Sequence, residues 1–260
     1  MCPELDAPQR ADARIGAVLR LPARSLDRRR FRLLDVLPAY LAVRLADAVT
    51  ETEREAYLRG VYTGRHQWTA NFDGVQSTLG RAWYAHLEED RVDDYFGGAA
   101  ESDACVERFV PGLQAKMLAL ASSLVEAPVA QRLGWCGPGV HVFPAGNEVS
   151  FTGGEVHFDT EGLSEEQLAA RTPALSFVLM LEPPDAGGGL RVWDAMFAGD
   201  SHPREPDASV ASATITYEPG ELVVIDSYRL HQILPFSGAT DRVSATMHLA
   251  LEDGQWEAWF

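Results

Sequence analysis

From about residue 139 the chain breaks into eight apolar runs of strand length: GVHVFPAGN, GEVHFD, ALSFVLMLEPP, GLRVWDA, ATITYEPG, ELVVIDS, LHQILPF and RVSATMHLAL. Each is bounded by Pro, Gly, Asn or Asp, and turn signals such as EPG, PPDAGGG and PFSGATD lie between them. Closely spaced short runs of this kind cannot be core helices; they predict an antiparallel sandwich or barrel. The longest interruption, AMFAGDSHPREPDASV over 195–210, is polar and contains Pro, which marks a functional flap rather than packing.

The first half carries a different rhythm. Residues 37–60, LPAYLAVRLADAVTETEREAYLRG, place Leu37, Leu41, Leu45, Val49 and Ala56 at helical spacing, with Gly60 as a stop. SDACVERFVPGLQAKMLALASSLVE starts at the cap-like Ser102 and stays apolar through Leu124, with Pro111 forcing a kink or a restart. No period of 20 to 50 residues repeats, which removes solenoids and propellers. The predicted organisation is one domain over 1–260, mainly helical over 1–135 and β over 136–260. Its class is mainly β with N-terminal helices (α+β).

Composition narrows the function classes. With 46% hydrophobic residues, 6 Trp, 11 Phe and 7 Tyr, the chain can bury a substantial core. No run of 18 apolar residues and no signal-like N-terminus occurs, so a soluble cytoplasmic protein is expected, without a membrane partner. Cys2, Cys105 and Cys136 are odd in number and widely spaced, and read as free thiols. The formal net charge of -16 argues against a nucleic-acid partner. Only residues 1–32 lean basic, with eight Arg against four acids including the run DRRRFR, and a solvated charge run explains them.

The chemistry begins with His157 and Asp159. On a strand, residues i and i+2 share a face, so the two can converge on one ion. Imidazole with carboxylate suits Fe(II), Mn(II) or Zn(II), and a second imidazole would complete a 2-His-1-carboxylate triad. By itself the pair is weak, because about one His-x-acid match is expected in a chain with 7 His and 38 acids. Downstream, His231 is followed after a turn by Arg242, with Ser244 on the same strand face. A guanidinium with a neighbouring hydroxyl is the fork that holds a buried carboxylate, so an anion slot is expected beside the metal.

These residues resemble the Fe(II)/2-oxoglutarate-dependent dioxygenases, in particular members with a prolyl-hydroxylase-like C-terminal half. The resemblance rests on HFD (His157, Asp159), on His231, and on Arg242 and Ser244 in His-x10-Arg-x-Ser spacing, with LSFVLMLEPPDAGGGLRVW between them, and spans roughly 139–250. It implies a double-stranded β-helix, a jelly-roll or cupin-like barrel, packed by helices. It implies that His157, Asp159 and His231 bind Fe(II), and that Arg242 and Ser244 hold the distal carboxylate of 2-oxoglutarate. The implied reaction consumes O2 and 2-oxoglutarate, releases succinate and CO2, and removes hydrogen from a substrate C–H. Asp159 fills the position that is small in related halogenases, so hydroxylation is the expected outcome, with desaturation or cyclisation as variants. The family's usual tyrosine on the strand before the metal motif is missing: VHVFPAGN offers His141, Phe143 and Asn147, and the contact to the near end of 2-oxoglutarate stays unassigned. His141 itself reads as a satisfied core or rim histidine.

Thr160 and Glu161, Arg191 and Trp193, and Tyr228 and Arg229 are the candidate substrate contacts, with RHQWTANFDG (65–74) as a loop that could cover the site. The glycine run 187–189 precedes no helix and reads as a turn rather than a phosphate cradle. A small-molecule substrate is expected, a free amino acid or biosynthetic intermediate. A peptidyl hydroxylase is the enzymatic alternative. A metal- or sugar-binding cupin-like barrel without turnover is the alternative of another class, although such a module has no need of a buried guanidinium.

Overall fold

The computed structural model describes residues 16–22, 32–199 and 203–260. Cys2, most of the basic N-terminal segment and positions 200–202 of the 195–210 flap lie outside the described residues. The strands, in chain order, are β1 (Gly16–Pro22), β2 (Tyr40–Ala46), β3 (Thr69–Asn71), β4 (Gln76–Leu79), β5 (Val129–Gln131), β6 (Gly139–Phe143), β7 (Ala174–Glu182), β8 (Ala186–Gly187), β9 (Leu190–Met196), β10 (Ser212–Ile215), β11 (Leu222–Asp226), β12 (Arg229–Ile233), β13 (Phe236–Ser237), β14 (Arg242–Glu252) and β15 (Gln255–Trp259). The helices are α1 (Leu33–Val36), α2 (Glu51–Thr63), α3 (Trp83–Glu88), α4 (Val92–Gly97), α5 (Ala99–Phe109), α6 (Leu113–Val125), α7 (Glu148–Thr152) and α8 (Glu165–Ala170). Among the described residues no helix is long and apolar enough to cross a membrane.

A large sheet runs in the order β1-β2-β11-β7-β14-β6-β4-β3, extended by β15 on β14 and β5 on β15; a smaller one runs β10-β9-β12. Alternation on the central strands sorts side chains between two layers. Phe177, Leu179 and Leu181 of β7 and Val243, Ala245, Met247 and Leu249 of β14 join the cluster that holds Val61, Val106, Met117 and Leu124 of α2, α5 and α6. Met180 of β7 and Val223 and Ile225 of β11 instead meet Leu190, Val192 and Ile215 of the smaller sheet. The opposite parity of β14 is polar yet buried: Arg242, Ser244 and Thr246, followed by His248. That column sets the position of the site.

Seven of the eight C-terminal runs are strands, β6, β7, β9, β10, β11, β12 and β14. The eighth, GEVHFD, forms no strand; His157 makes an isolated bridge with His231, their backbone N–H groups each donating to the other's carbonyl at 3.0 Å. The helical reading of 37–60 is corrected. Residues 40–46 are a strand, because β2 lies between β1 and β11 and is buried on both faces, so its aliphatic run satisfies helical spacing by accident. Gly60 is not a stop either: α2 continues to Thr63, and a Cβ at Gly60 would stand 2.0 Å from the Phe109 carbonyl oxygen of α5. The second helical stretch does restart at Pro111, as α5 and α6, but it begins at Ala99; the Ser102 hydroxyl accepts from Arg81 N at 3.0 Å rather than capping. With β1 to β4 joined to the large sheet, the first half is less helical than its pattern predicts. The 65–74 segment contains β3, which pairs with the following β4 at the edge of the large sheet.

Candidate metal centre

Two backbone exchanges hold the metal motif in place. His157 is fixed to β12 by the paired bonds with His231, and Asp159 N donates to the Ser227 carbonyl at 3.0 Å. The motif therefore lies against the strand that supplies the third residue. His157 Nε2 stands 3.5 Å from Asp159 Oδ1 and His231 Nε2 3.3 Å from Asp159 Oδ2, with the ligand atoms of all three within 4.8 Å of one another.

The donor set fits a hard-to-borderline divalent cation. His157 Nδ1 meets the Glu155 carbonyl at 2.8 Å and His231 Nδ1 meets the Arg229 carbonyl at 2.9 Å. A carbonyl can only accept, so each Nδ1 carries a proton, and each Nε2 is the atom that would turn a lone pair to a metal once its own proton is lost. Metal bonds of about 2.1 Å meeting near a right angle separate their ligand atoms by about 3 Å, close to the spacing found.

Charges follow the geometry. Burial opposes protonation of His157, but the hydrogen bond and charge of Asp159 outweigh it, and its pKa rises to about 9. Burial likewise opposes ionisation of Asp159, yet His231, His248 and His157 hold its carboxyl well below the usual range. Glu161, half-buried near Asp159, is pushed up to about 7 by desolvation and by the Asp159 charge. His157 is 41% exposed, so the centre is open on that side.

Behind the triad lies the polar column of β14. Arg242 is 2% exposed; Nε donates to the Gly188 carbonyl at 3.2 Å and Nη1 to Ser244 Oγ at 3.3 Å, with the rings of Phe143 and Tyr217 at 5.4 and 5.2 Å. Among the described residues no carboxylate pairs with it, an unusual state for a buried cation. The glycine run is a turn, as its composition predicts: Gly187 and Gly188 take φ of 78° and 65°, which presents the Gly188 carbonyl to Arg242.

His141, opposite Ser244 across the β6–β14 ladder, is buried as expected but not satisfied: its Nδ1 has no partner. Burial, with the charges of His248 and Arg242, drives its pKa down to about 3. Two contributors escape a motif search. His248 Nδ1 lies 3.8 Å from Asp159 Oδ2 and 3.1 Å from Ser176 Oγ, which meets Ser227 Oγ at 2.8 Å. Its even spacing from Arg242 and Ser244 was the available signal. Tyr217, whose buried hydroxyl is also partnerless, carries no signal beyond its apolar run.

The candidate substrate residues divide. Thr160 and Glu161 follow the triad into a hollow. Arg191 and Trp193 are not brought to the triad: Val192 is the residue opposite His231, so its neighbours face away, Arg191 pairing with Glu205 at 2.7 Å and Trp193 packing on Phe158 and Leu230. Tyr228 donates its hydroxyl to the Gln167 carbonyl at 3.2 Å within an apolar cluster. The Arg229 side chain pairs with Asp194 at 2.9 Å, and only its carbonyl serves the centre.

No family model matches the sequence, and no curated protein is detectably similar. Solved structures do match the fold. A novel N-substituted L-amino acid dioxygenase from Burkholderia ambifaria AMMD superposes with a TM-score of 0.54 at 16% identity, over 92% of this chain and 90% of that one. Its complex with α-ketoglutarate gives 0.54 at 15% identity, over 92% and 91%. A prolyl hydroxylase from Trichoplax adhaerens, bound to a hypoxia-inducible-factor oxygen-degradation-domain peptide fragment, gives 0.52 at 14% identity, over 88% and 89%. The chain has the fold of these dioxygenases, and the class its motifs resemble is the class its structural neighbours belong to.

Proposed function

We propose that this protein is an Fe(II)/2-oxoglutarate-dependent oxygenase whose two sheets form a double-stranded β-helix, and that it hydroxylates a C–H bond of a small molecule. His157, Asp159 and His231 hold the iron; Arg242 and Ser244 hold the distal carboxylate of 2-oxoglutarate. The observation that carries the reading is Arg242, a buried guanidinium with no carboxylate of its own, on the strand face that also leads to the triad. Such a charge is costly unless a ligand neutralises it. A barrel that only bound metal or sugar would have no use for it.

Iron held there would supply the oxidising chemistry, in which 2-oxoglutarate and O2 are consumed and the 2-oxoglutarate ends as succinate and CO2. The chain orients and excludes. The Nδ1 bonds to the carbonyls of Glu155 and Arg229 fix both imidazole rings, and Ser176 and Ser227 anchor His248 beside the carboxylate. Phe143 and Tyr217 flank the guanidinium and keep water from its faces, which strengthens its pairing with an anion. Asp159 would give the iron a carboxylate ligand, which favours an oxygenase outcome over halogenation. A small substrate is favoured by the hollow that Thr160 and Glu161 line, about 640 Å³, within the range of small-molecule sites.

The test is anaerobic titration of 2-oxoglutarate into the Fe(II)-loaded protein. A visible metal-to-ligand absorption band is expected, and an unchanged spectrum would sink the reading. Asp159→Ala is expected to abolish both the band and iron-dependent succinate release.

A further inference from the structure

Beyond Asp159, the segment from Thr160 to Ser164 borders the hollow of about 640 Å³. One wall is aromatic, with the rings of Trp83 and Trp135 centred 4.8 Å apart. The only cation in the lining, Arg132, is already engaged: Nε donates to Glu257 at 3.1 Å and Nη1 to the Gly162 carbonyl at 2.6 Å, while its plane lies over Trp135 and Trp259. Glu161 and Glu252 line the same space, and among the described residues neither forms a salt bridge. The hollow thus offers unpaired negative charge and ring faces, and no free positive charge.

Its donors are also unspent. Gln167 is 4% exposed, and its Oε1 accepts from Ser164 N at 2.9 Å in the capping box of α8, while its Nε2, buried in the wall of the hollow, has no acceptor. The indole nitrogen of Trp83, in the same lining, has none either. A buried donor left unpaired is costly, so such groups mark where an oxygen atom belongs.

We propose that this hollow holds the non-reacting part of an amine-bearing substrate, with its ammonium on Glu161, an apolar body along Trp83 and Trp135, and a carbonyl oxygen on the Gln167 amide. The ring faces favour a cation over an anion for the same electrostatic reason as the carboxylates do. The meaning of the hollow as a substrate site rests on the oxygenase reading, but its preference for an amine does not require iron.

The experiment compares three probes that share a phenyl ring and chain, phenethylamine, 3-phenylpropanamide and 3-phenylpropanoate, by calorimetry or ligand-observed NMR on the metal-free protein. Phenethylamine is expected to bind at least about tenfold more tightly than 3-phenylpropanoate, and Glu161→Gln to remove about tenfold of its affinity. Equal or tighter binding of 3-phenylpropanoate, no binding of phenethylamine, or an unaffected Glu161→Gln variant would overturn the proposal. Should that variant not fold, the probe series on the unmodified protein decides alone. The same sample is then loaded anaerobically with Fe(II) and 2-oxoglutarate: a band without amine preference removes only the hollow, and amine preference without a band removes only the oxygenase reading.

Discussion

Arg242 and His157 are both charged groups whose surroundings are incomplete, and each incompleteness can be measured. For Arg242, burial without a counter-ion pulls the guanidinium pKa down and destabilises the ligand-free fold. Arg242→Met keeps the aliphatic length and removes the charge, so the ligand-free variant is expected to gain about 1–2 kcal/mol in urea melts. If Arg242 holds 2-oxoglutarate as proposed, the same variant should lose the stabilisation expected from that ligand in the metal-loaded protein, about 2.7 kcal/mol at a hundred times its Kd. For His157, the folded pKa of about 9 lies above the usual 6.5, so the pair with Asp159 adds stability that is complete below pH 6.5 and fades as pH rises through 9. Metal can bind only the neutral ring. At pH 7 metal uptake is therefore expected to release a proton from His157, readable by calorimetry in two buffers of different ionisation enthalpy, with affinity climbing from pH 6 to 9.

At the level of elements, α2 and α5 cross where Gly60 has no side chain. Alanine favours helix over glycine by about 1 kcal/mol, but its Cβ would stand 2.0 Å from a backbone oxygen, which no rotamer can relieve. Strain of this kind costs more than the propensity gains, so Gly60→Ala is expected to destabilise by about 2–3 kcal/mol in chemical unfolding. The alternation of β14 shows why the C-terminal half was legible. RVSATMHLAL alternates apolar residues toward the helices with Arg242, Ser244, Thr246 and His248 toward the site, a pattern that one residue of slip would invert. β2 shows the opposite case: a strand buried on both faces has no alternation, and its leucines fit a helix equally well.

Across the whole molecule, the triad joins the loop bearing His157 and Asp159 to the strand bearing His231, beside the polar column of the large sheet. A cation held there cross-links segments far apart in sequence and binds the folded state alone. Mn(II), which does not oxidise as Fe(II) does, is expected to raise the Tm of the protein in a concentration-dependent way, and Asp159→Ala to abolish the shift. A shift that survives in the variant would place the metal elsewhere.

The sequence by itself determined the strand-rich C-terminal half, an interruption of the helix at Pro111 and the convergence of His157, Asp159 and His231. Local spacing carries each of these: a period of two, a proline that cannot donate, two residues on one face and a third at a fixed distance from an Arg-x-Ser. Only the tertiary structure decided that β1 to β4 extend the large sheet, that Arg191 and Trp193 turn away from the triad, and that His248 and Tyr217 stand beside the site. Those outcomes depend on which strands become neighbours, and strand pairing across long loops is fixed by burial of the whole sheet rather than by any short run of residues.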